Sequence, residues 1–258
     1  MNKLYLIGAA FGAGGCNKGS EDAAQAFQNS REHNELTTKG INIHWHKTIT
    51  EKPLDNKLEI ITGANLALAK TTQQLVKENK RFCVIGGDHS CAIGTWSGAV
   101  SALPDTSELG LIWIDAHMDA HTPETSLTGN IHGMPVASLL GYGHKQLTDL
   151  LSKQIKIKPQ NICLIGIRSY EADEEKLLND LGVKIFFNTD VEALGVEEVM
   201  RQAIAHISQS ATHLGISIDL DGLDPSDAPG VGTPVDKGIN GQEFCASLAI
   251  LNQHKNFI

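Results

Sequence analysis

An apolar run that ends in polar residues lies near the middle of the chain and reads Leu109-Gly110-Leu111-Ile112-Trp113-Ile114-Asp115-Ala116-His117-Met118-Asp119. The part before Asp115 carries no charged side chain, as expected for a parallel strand that is covered on both faces. From Asp115 onward polar and apolar side chains alternate, and alternate residues of an extended segment point the same way. We therefore expect Asp115, His117 and Asp119 to face one pocket at the carboxyl end of a buried strand.

Similar apolar runs recur along the chain, and amphipathic segments of helical length lie between several of them. This alternation predicts an α/β fold with a mostly parallel sheet and helices on both faces, and thus three layers. The predicted strands span residues 4–8, 41–45, 82–86, 109–115, 161–167, 183–187 and 213–219. The predicted helices span residues 21–30, with Ser20 as a cap, and residues 58–79, 171–181, 196–208 and 241–251. No linker, repeat or low-complexity tract is apparent, so we expect one domain over residues 1–258.

The composition excludes several classes of protein. The net charge of -9 argues against nucleic acid as the main partner, because phosphate binding requires a basic surface. No apolar run reaches the length that crosses a membrane, and the glycine-rich stretch up to Cys16 is interpreted as a strand and its loop rather than a signal. The cysteines are odd in number and have no CxxC spacing, so we expect reduced thiols in a cytoplasmic protein.

Two further predicted strands end in the same kinds of side chain as the strand before Asp115. His89 follows the strand at 82–86, and Asp219 and Asp221 stand at the end of the strand at 213–219. Because ligands bind beyond the carboxyl ends of parallel strands, these side chains are expected at one edge of the sheet. One Asp-x-His alone would usually be a cap or a surface pair, but three such groups favour a metal site. Carboxylates with imidazoles suit a hard or borderline divalent ion such as Mn²⁺, and carboxylates can bridge two ions. The predicted ligands are His89, Asp115, His117, Asp119, Asp219 and Asp221.

The order of these motifs resembles the arginase, or ureohydrolase, family. The segments that carry the resemblance are Gly86-Gly87-Asp88-His89-Ser90, Asp115-Ala116-His117-Met118-Asp119 and Ser217-Ile218-Asp219-Leu220-Asp221-Gly222-Leu223-Asp224-Pro225. The resemblance runs from Ile7 to the end of the chain. It implies an arginase-like fold, two Mn²⁺ per chain and a homo-oligomer, either a trimer or a hexamer.

The resemblance also implies a role for each residue of the site. The implied ligands are His89 and Asp119 for the first metal, His117 and Asp221 for the second, and Asp115 and Asp219 for both. Asp119 would in addition hydrogen-bond the nucleophilic hydroxide that attacks the guanidinium carbon. The segment Gly129-Asn130-Ile131-His132-Gly133-Met134-Pro135 is similar to the substrate loop of arginases. His132 then stands where arginases keep a proton-shuttling histidine, a role that suits a group titrating near neutral pH.

Recognition of the substrate tail is assigned by the same resemblance. Thr233 matches a pocket threonine, and Glu171 and Glu174 match acids that hold the substrate's α-amino group. The residues themselves allow a second interpretation of these acids, as an acidic helix start favoured by the helix dipole. Thr128 and His121 stand where arginases use a serine and an asparagine against the α-carboxylate. Thr128 keeps the hydroxyl group, whereas His121 departs from the family pattern.

The function implied is manganese-dependent hydrolysis of L-arginine to L-ornithine and urea. One alternative is an agmatinase or another guanidino-acid amidinohydrolase, which would share the metals and differ around the substrate tail. A second alternative is an arginase-like protein that no longer catalyses and serves as a binding or regulatory subunit. A deacetylase of the same broad fold is disfavoured, because those enzymes use one zinc ion and fewer ligands.

The end of the chain departs from the family pattern as well. Family members continue after Thr233 through a helix, a final strand and a further helix, whereas residues 256–258 match only the start of that strand. We therefore expect either a truncated product or a gap that a neighbouring subunit fills. The acid that holds the guanidinium group would be missing, so we expect weak guanidinium binding with the metal ligands retained.

Overall fold

All seven predicted strands are present in the computed structural model, which describes residues 3–254 and 256–258. Every strand pairing is parallel, which confirms the α/β class. The strands form two sheets, where one sheet was expected. The chain accordingly divides into two compact units. The first comprises the residues up to Leu103, Thr128–Lys156 and Ile258, and the second comprises Pro104–Leu127 and Ile157–Phe257.

The first unit contains a sheet in the order β2-β1-β3. Its strands are β1 (Leu4–Ala10), β2 (Ile43–Thr50) and β3 (Arg81–Gly86). Its helices are α1 (Ala23–Gln28), α2 (Arg31–Thr38), α3 (Lys57–Lys77), α4 (Cys91–Val100), α5 (Pro135–Leu139) and α6 (Lys145–Thr148). The Asn56 side chain caps α3 by accepting from the amides of Leu58 and Glu59.

The second unit contains a sheet in the order β6-β5-β4-β7. Its strands are β4 (Leu109–Ile114), β5 (Ile162–Ile167), β6 (Lys184–Phe187) and β7 (His213–Ile218). Its helices are α7 (Ala172–Leu181), α8 (Asn188–Leu194), α9 (Val196–Ile207) and α10 (Gly241–Ser247). Strands β4 and β5 are buried along their whole length, and their side chains pack with the apolar side of α9 in one core.

Helices α3 and α4 pack closely because two glycines of α4 face α3. A Cβ atom at Gly94 would lie 2.5 Å from the Asn65 carbonyl oxygen, and one at Gly98 would overlap the carbonyl oxygen of Ala69. The Thr72 hydroxyl group of α3 also donates a hydrogen bond of 3.1 Å to the Thr95 carbonyl of α4. These contacts hold α4, which begins two residues after His89, against α3.

Some local predictions were wrong. The helix predicted at 21–30 is a short 3-10 turn, Ser20–Asp22, followed by α1, and Ser20 does not cap it. Gly19 precedes that turn instead, and the Ser20 hydroxyl group donates to the carbonyl of Asn17. Helix α4 was not predicted, because it is buried on nearly all sides and so has no amphipathic pattern.

A buried ammonium group lies at the end of the segment Thr128–Lys156 of the first unit. The Lys156 side chain is 5% exposed, and its Nζ atom donates to the carbonyl oxygens of Thr148, Ser152 and Gln154 at 2.9, 2.6 and 2.8 Å. Burial lowers the pKa of Lys156. The loop is therefore organised around a charged group whose hydrogen bonds go mainly to the backbone.

Across residues 3–254 and 256–258, the structure contains no helix with the length and apolar character required to span a bilayer.

Candidate metal centre

Strands β4 and β7 are neighbours in the second unit and end in register, because Ile114 pairs with Ile218. Asp115 follows the first of these strands and Asp219 follows the second. The two aspartates therefore stand at adjacent strand ends, as the sequence predicted. A ligand atom from each of Asp115, His117 and Asp221 lies within 4.8 Å of the other two.

The distances inside this cluster are short. Nδ1 of His117 lies 3.2 Å from Oδ2 of Asp221 and 3.5 Å from Oδ1 of Asp115. Asp115 and Asp221 are almost fully buried, and His117 is partly exposed. The imidazole thus stands between two carboxylates at the edge of the sheet.

Hydrogen bonds from the protein fix both oxygens of the Asp115 carboxylate. The backbone amide of His117 donates to Oδ1 at 2.8 Å, and the indole Nε1 of Trp113 donates to Oδ2 at 3.0 Å. The backbone amide of Asp115 donates to the carbonyl of Ile165 in β5 at 3.1 Å. The carboxylate is therefore held in one orientation by the strand and its neighbour.

Asp221 is held in a similar way. It lies in a 3-10 turn, Leu220–Gly222, and its amide donates to Oδ1 of Asp219 at 3.0 Å. Its own carboxylate accepts from the Ala116 amide at 3.2 Å and from the Thr233 hydroxyl group at 2.9 Å. The sequence assigned Thr233 to the substrate pocket, and the structure places its hydroxyl group on a metal-ligand candidate.

Asp119 differs from the expected extended geometry. Its φ angle is 50°, in the left-handed region that residues other than glycine seldom adopt. The extended segment that begins at Asp115 therefore does not continue through Asp119. Asp119 is nevertheless buried, at 6% exposure. Residues held in sparsely populated backbone regions cluster at functional sites.

The electrostatics of the cluster favour a cation. Burial lowers the pKa of His117, but hydrogen bonds and charge interactions with Asp115 and Asp221 outweigh burial and raise that pKa to about 11. Clustered carboxylates repel one another unless a positive charge compensates them. Carboxylate and imidazole donors at a strand end match the preferences of hard or borderline divalent ions. The residues present therefore fit a divalent metal.

A second group of titratable side chains lies further along the same unit. Nε2 of His121 is 2.9 Å from a carboxylate oxygen of Glu171 and 3.4 Å from one of Glu174, and Nδ1 is 3.1 Å from the Thr125 hydroxyl group. Glu171 and Glu174 also form the capping box of α7. The second interpretation of these acids, as an acidic helix start, therefore also agrees with the structure. Burial raises the pKa of Glu174 to about 6, and its hydrogen bond with Glu171 acts in the same direction.

Three of the predicted site residues belong to the first unit. His89 lies between β3 and α4, and its carbonyl accepts from the Ala92 amide at 3.0 Å. The Thr128 hydroxyl group accepts from the Asn130 amide at 3.2 Å. His132 lies in a 3-10 turn, Ile131–Gly133, and its amide donates to the Gly14 carbonyl at 3.1 Å.

Sequence reasoning missed Arg168, which directly follows β5. Its half-buried guanidinium group donates to backbone carbonyls, among them that of Asp221 at 2.7 Å. An arginine placed at the end of a fully buried strand was the available signal, because burial of a guanidinium group requires partners for its several donors.

Comparison with known proteins agrees with the geometry. A sequence model of the arginase family matches residues 2–258. The arginase of Bacillus caldovelox is 44% identical over 194 residues, which are 75% of this chain and 64% of that protein, slightly under two thirds of its length. The arginase of Brevibacillus brevis is 38% identical over an alignment of 264 residues, covering 97% of this chain and 86% of that protein.

A solved structure gives the same result. The crystal structure of arginase from Bacillus subtilis has a TM-score of 0.92 and 35% sequence identity, and the match covers 99% of this chain and 88% of that chain. The family match extends over nearly the whole chain, and the fold and the strand-end motifs agree with it. The chain therefore belongs to the arginase family.

Proposed function

We propose that this chain is a binuclear manganese amidinohydrolase that converts L-arginine and water into L-ornithine and urea. The observation that carries the proposal is the cluster of Asp115, His117 and Asp221, with Asp219 beside it, at the ends of the neighbouring strands β4 and β7. The relatives described above, which are named arginase, support the choice of substrate.

The residues that would hold two Mn²⁺ ions are His89, Asp115, His117, Asp119, Asp219 and Asp221. When bound, such ions lower the pKa of water and polarise the group under attack. The chain's own contribution is orientation. Hydrogen bonds from Trp113, Ala116 and Thr233 fix the carboxylates before any ion arrives, so less ordering is required on binding.

Two residues are assigned to proton handling. Asp119 would accept a hydrogen bond from the attacking water and orient it toward the guanidinium carbon. His132 would deliver a proton from its imidazole to the leaving amine, so that ornithine departs as a stable product. An imidazole exchanges protons near neutral pH, which suits this step.

The substrate tail is assigned to His121, Thr128, Glu171, Glu174 and Thr233. Glu171 and Glu174 would take the α-amino group, and Thr128 with His121 would take the α-carboxylate. In the structure the His121 ring already touches Glu171 at 2.9 Å. That contact favours a second candidate, an amidinohydrolase for agmatine or a guanidino acid, since Glu171 would then be less free to receive an α-amino group.

The test is urea release by the purified chain, with and without Mn²⁺, from L-arginine, agmatine and several guanidino acids. We expect Mn²⁺-dependent urea release that is greatest with L-arginine. Greater release from agmatine or a guanidino acid would support the second candidate. Bound metal with no urea from any guanidine would contradict catalysis and support a binding or regulatory role. The Asp221→Asn variant provides the matched negative control, because it keeps the shape of the ligand and removes its charge.

We further propose a cytoplasmic homo-oligomer, a trimer or a hexamer. The support is the resemblance to the family, and the described cysteines, none of which is in a disulfide, are compatible with a reducing compartment. Light scattering coupled to gel filtration tests the assembly, and a monomeric mass across the working concentration range would contradict it.

A further inference from the structure

The Arg168 guanidinium group donates hydrogen bonds to a group of backbone carbonyls. Its three nitrogen atoms donate to the carbonyl oxygens of Gly166 at 3.2 Å, Asp221 at 2.7 Å, Gly222 at 3.2 Å, Leu223 at 3.3 Å, Val235 at 2.8 Å and Asp236 at 3.1 Å. Apart from that of Gly166, these acceptors come from two segments, 221–223 and 235–236. One side chain therefore joins two segments that are distant from it in the sequence.

Both segments bear on the same metal-ligand candidate. The first segment begins with Asp221 itself. The second follows Thr233, whose hydroxyl group donates to Oδ2 of Asp221 at 2.9 Å. Arg168 thus contacts the backbone of Asp221 and also residues 235–236, which follow closely after the Thr233 side chain that donates to the Asp221 carboxylate.

We propose that Arg168 is a positioning residue that sets the metal affinity of the site through Asp221. The inference rests on the metal centre proposed above. The planar fork of donors in arginine can satisfy several carbonyls in fixed directions, whereas a lysine ammonium group cannot span both segments in the same way. Groups that orient metal ligands commonly affect affinity strongly without touching the metal.

Charge and positioning predict opposite effects, which makes the inference testable. Arg168 is half-buried, and its positive charge interacts with Asp221 and Asp115. A fixed cation near a metal site repels the incoming ion, so the charge alone predicts tighter metal binding when the arginine is removed. A positioning role predicts weaker metal binding when Arg168 is removed, and also when Arg168 is replaced by a lysine of equal charge.

The experiment measures Mn²⁺ binding to the metal-free full chain by titration calorimetry. The variants are Arg168→Lys, which keeps the charge and loses the fork, and Arg168→Gln, which loses both the charge and the fork. The matched control is Arg201→Lys, since Arg201 lies on α9 with an exposed ion pair of 2.8 Å to Glu197. We expect both Arg168 variants to bind Mn²⁺ about 10- to 100-fold more weakly, and Arg201→Lys to bind as the wild type does.

Thermal unfolding separates positioning from a merely structural role. Each titration is made well below the unfolding midpoint of that variant, so only folded protein is measured. A lowered midpoint with wild-type metal affinity would overturn the inference, and so would tighter binding by Arg168→Gln. Recovery of the urea-forming rate of Arg168→Lys at high Mn²⁺ would support the inference.

The outcome for the wild type separates this inference from the proposed function. If the wild type binds no Mn²⁺, both the metal centre and the role of Arg168 are wrong. If it binds Mn²⁺ and releases no urea, the proposed activity alone is wrong, and the comparison of affinities still decides the role of Arg168.

Discussion

Glu174 is a buried carboxyl group whose titration should be visible in the stability of the folded chain. It is 3% exposed, and its two oxygens accept from the amides of Ala120 and Glu171, each at 3.0 Å. Burial raises its pKa from 4.5 to about 6. The folded state therefore binds this proton more tightly than the unfolded state, so the contribution is most favourable below pH 4.5 and is lost as the pH rises through about 6.

We predict that Glu174→Gln flattens the decline in the free energy of unfolding between pH 4.5 and pH 7. The wild-type decline attributable to this group is at most about 2 kcal/mol, from the size of the pKa shift. Urea denaturation at several pH values measures the slope. Asp173→Asn, at an exposed acid of the same helix, is the control. Equal slopes in Glu174→Gln and the wild type would show that Glu174 does not titrate in this range.

His132 should matter for turnover and not for metal content. We predict that His132→Ala lowers the rate of urea formation by roughly 10²–10⁴-fold, as expected for loss of a general acid. His44→Ala, at an exposed histidine of β2, is the control and should keep the wild-type rate. Rates and bound Mn²⁺ are measured on the same samples. A His132→Ala rate equal to that of the wild type across the pH range would remove His132 from the mechanism.

The sequence predicted which side chains lie close together where a metal-ligating side chain also stands just after a buried strand. Asp115, His117 and Asp221 met both conditions, and the structure brings them together. The role of Arg168 was not predicted, although Arg168 also follows a strand, because its acceptors other than Gly166 lie 53 or more residues away and all are backbone carbonyls. Carbonyl acceptors are carried by every residue, so no sequence pattern marks the ones that an arginine will contact.

Helix α4 shows what a sequence pattern misses at the level of elements. Its residues are buried on nearly all sides, so no apolar stripe separates it from a strand or a loop. Gly94 and Gly98 reduce its helix propensity further, yet both are needed for close packing against α3. Strands β4 and β5 were easier to predict, because uninterrupted apolar runs of that length are typical of buried parallel strands.

We predict opposite effects for the same substitution at two helical glycines. Gly98→Ala should lower the free energy of unfolding by about 1–3 kcal/mol, since its Cβ atom would overlap Thr72 and Ala69 of α3. Gly63→Ala, inside α3 and with no atom near its Cβ position, should raise it by up to about 1 kcal/mol. Chemical denaturation measures both. A stabilised Gly98→Ala variant would mean that α3 and α4 pack less closely than described.

The whole molecule should be more stable with metal than without it. Metal that binds only the folded state stabilises it by about 2.7 kcal/mol when free metal is 100 times the dissociation constant. We predict that Mn²⁺ raises the thermal unfolding midpoint, that a chelator reverses the rise, and that elemental analysis of the loaded chain gives two Mn²⁺. Asp221→Asn should reduce the rise, whereas Asp180→Asn, at an exposed ion pair with Lys176, should not. A stoichiometry of one would contradict the binuclear centre.

The arrangement of strands into sheets was the least predictable feature at this scale. The apolar runs identified all seven strands of the described residues, but β3 hydrogen-bonds to β1 and β7 to β4, in separate sheets. The alternation of strands and helices predicts the fold class, because the apolar pattern of each segment shows which of its side chains are buried. The choice of neighbouring strand depends on contacts between residues far apart in the sequence, such as Ile112 with Ile216. A pattern read along one chain does not contain that information.

The enclosed ammonium group of Lys156 makes this lysine a reporter of local opening. An amine with a lowered pKa is ordinarily the one that acylating reagents modify first, yet here three carbonyls and 5% exposure keep reagents away. Modification therefore requires that the carbonyls of Thr148, Ser152 and Gln154 first separate from the Lys156 ammonium group. The rate at which Lys156 acquires a label in the native protein would therefore report how often this loop opens.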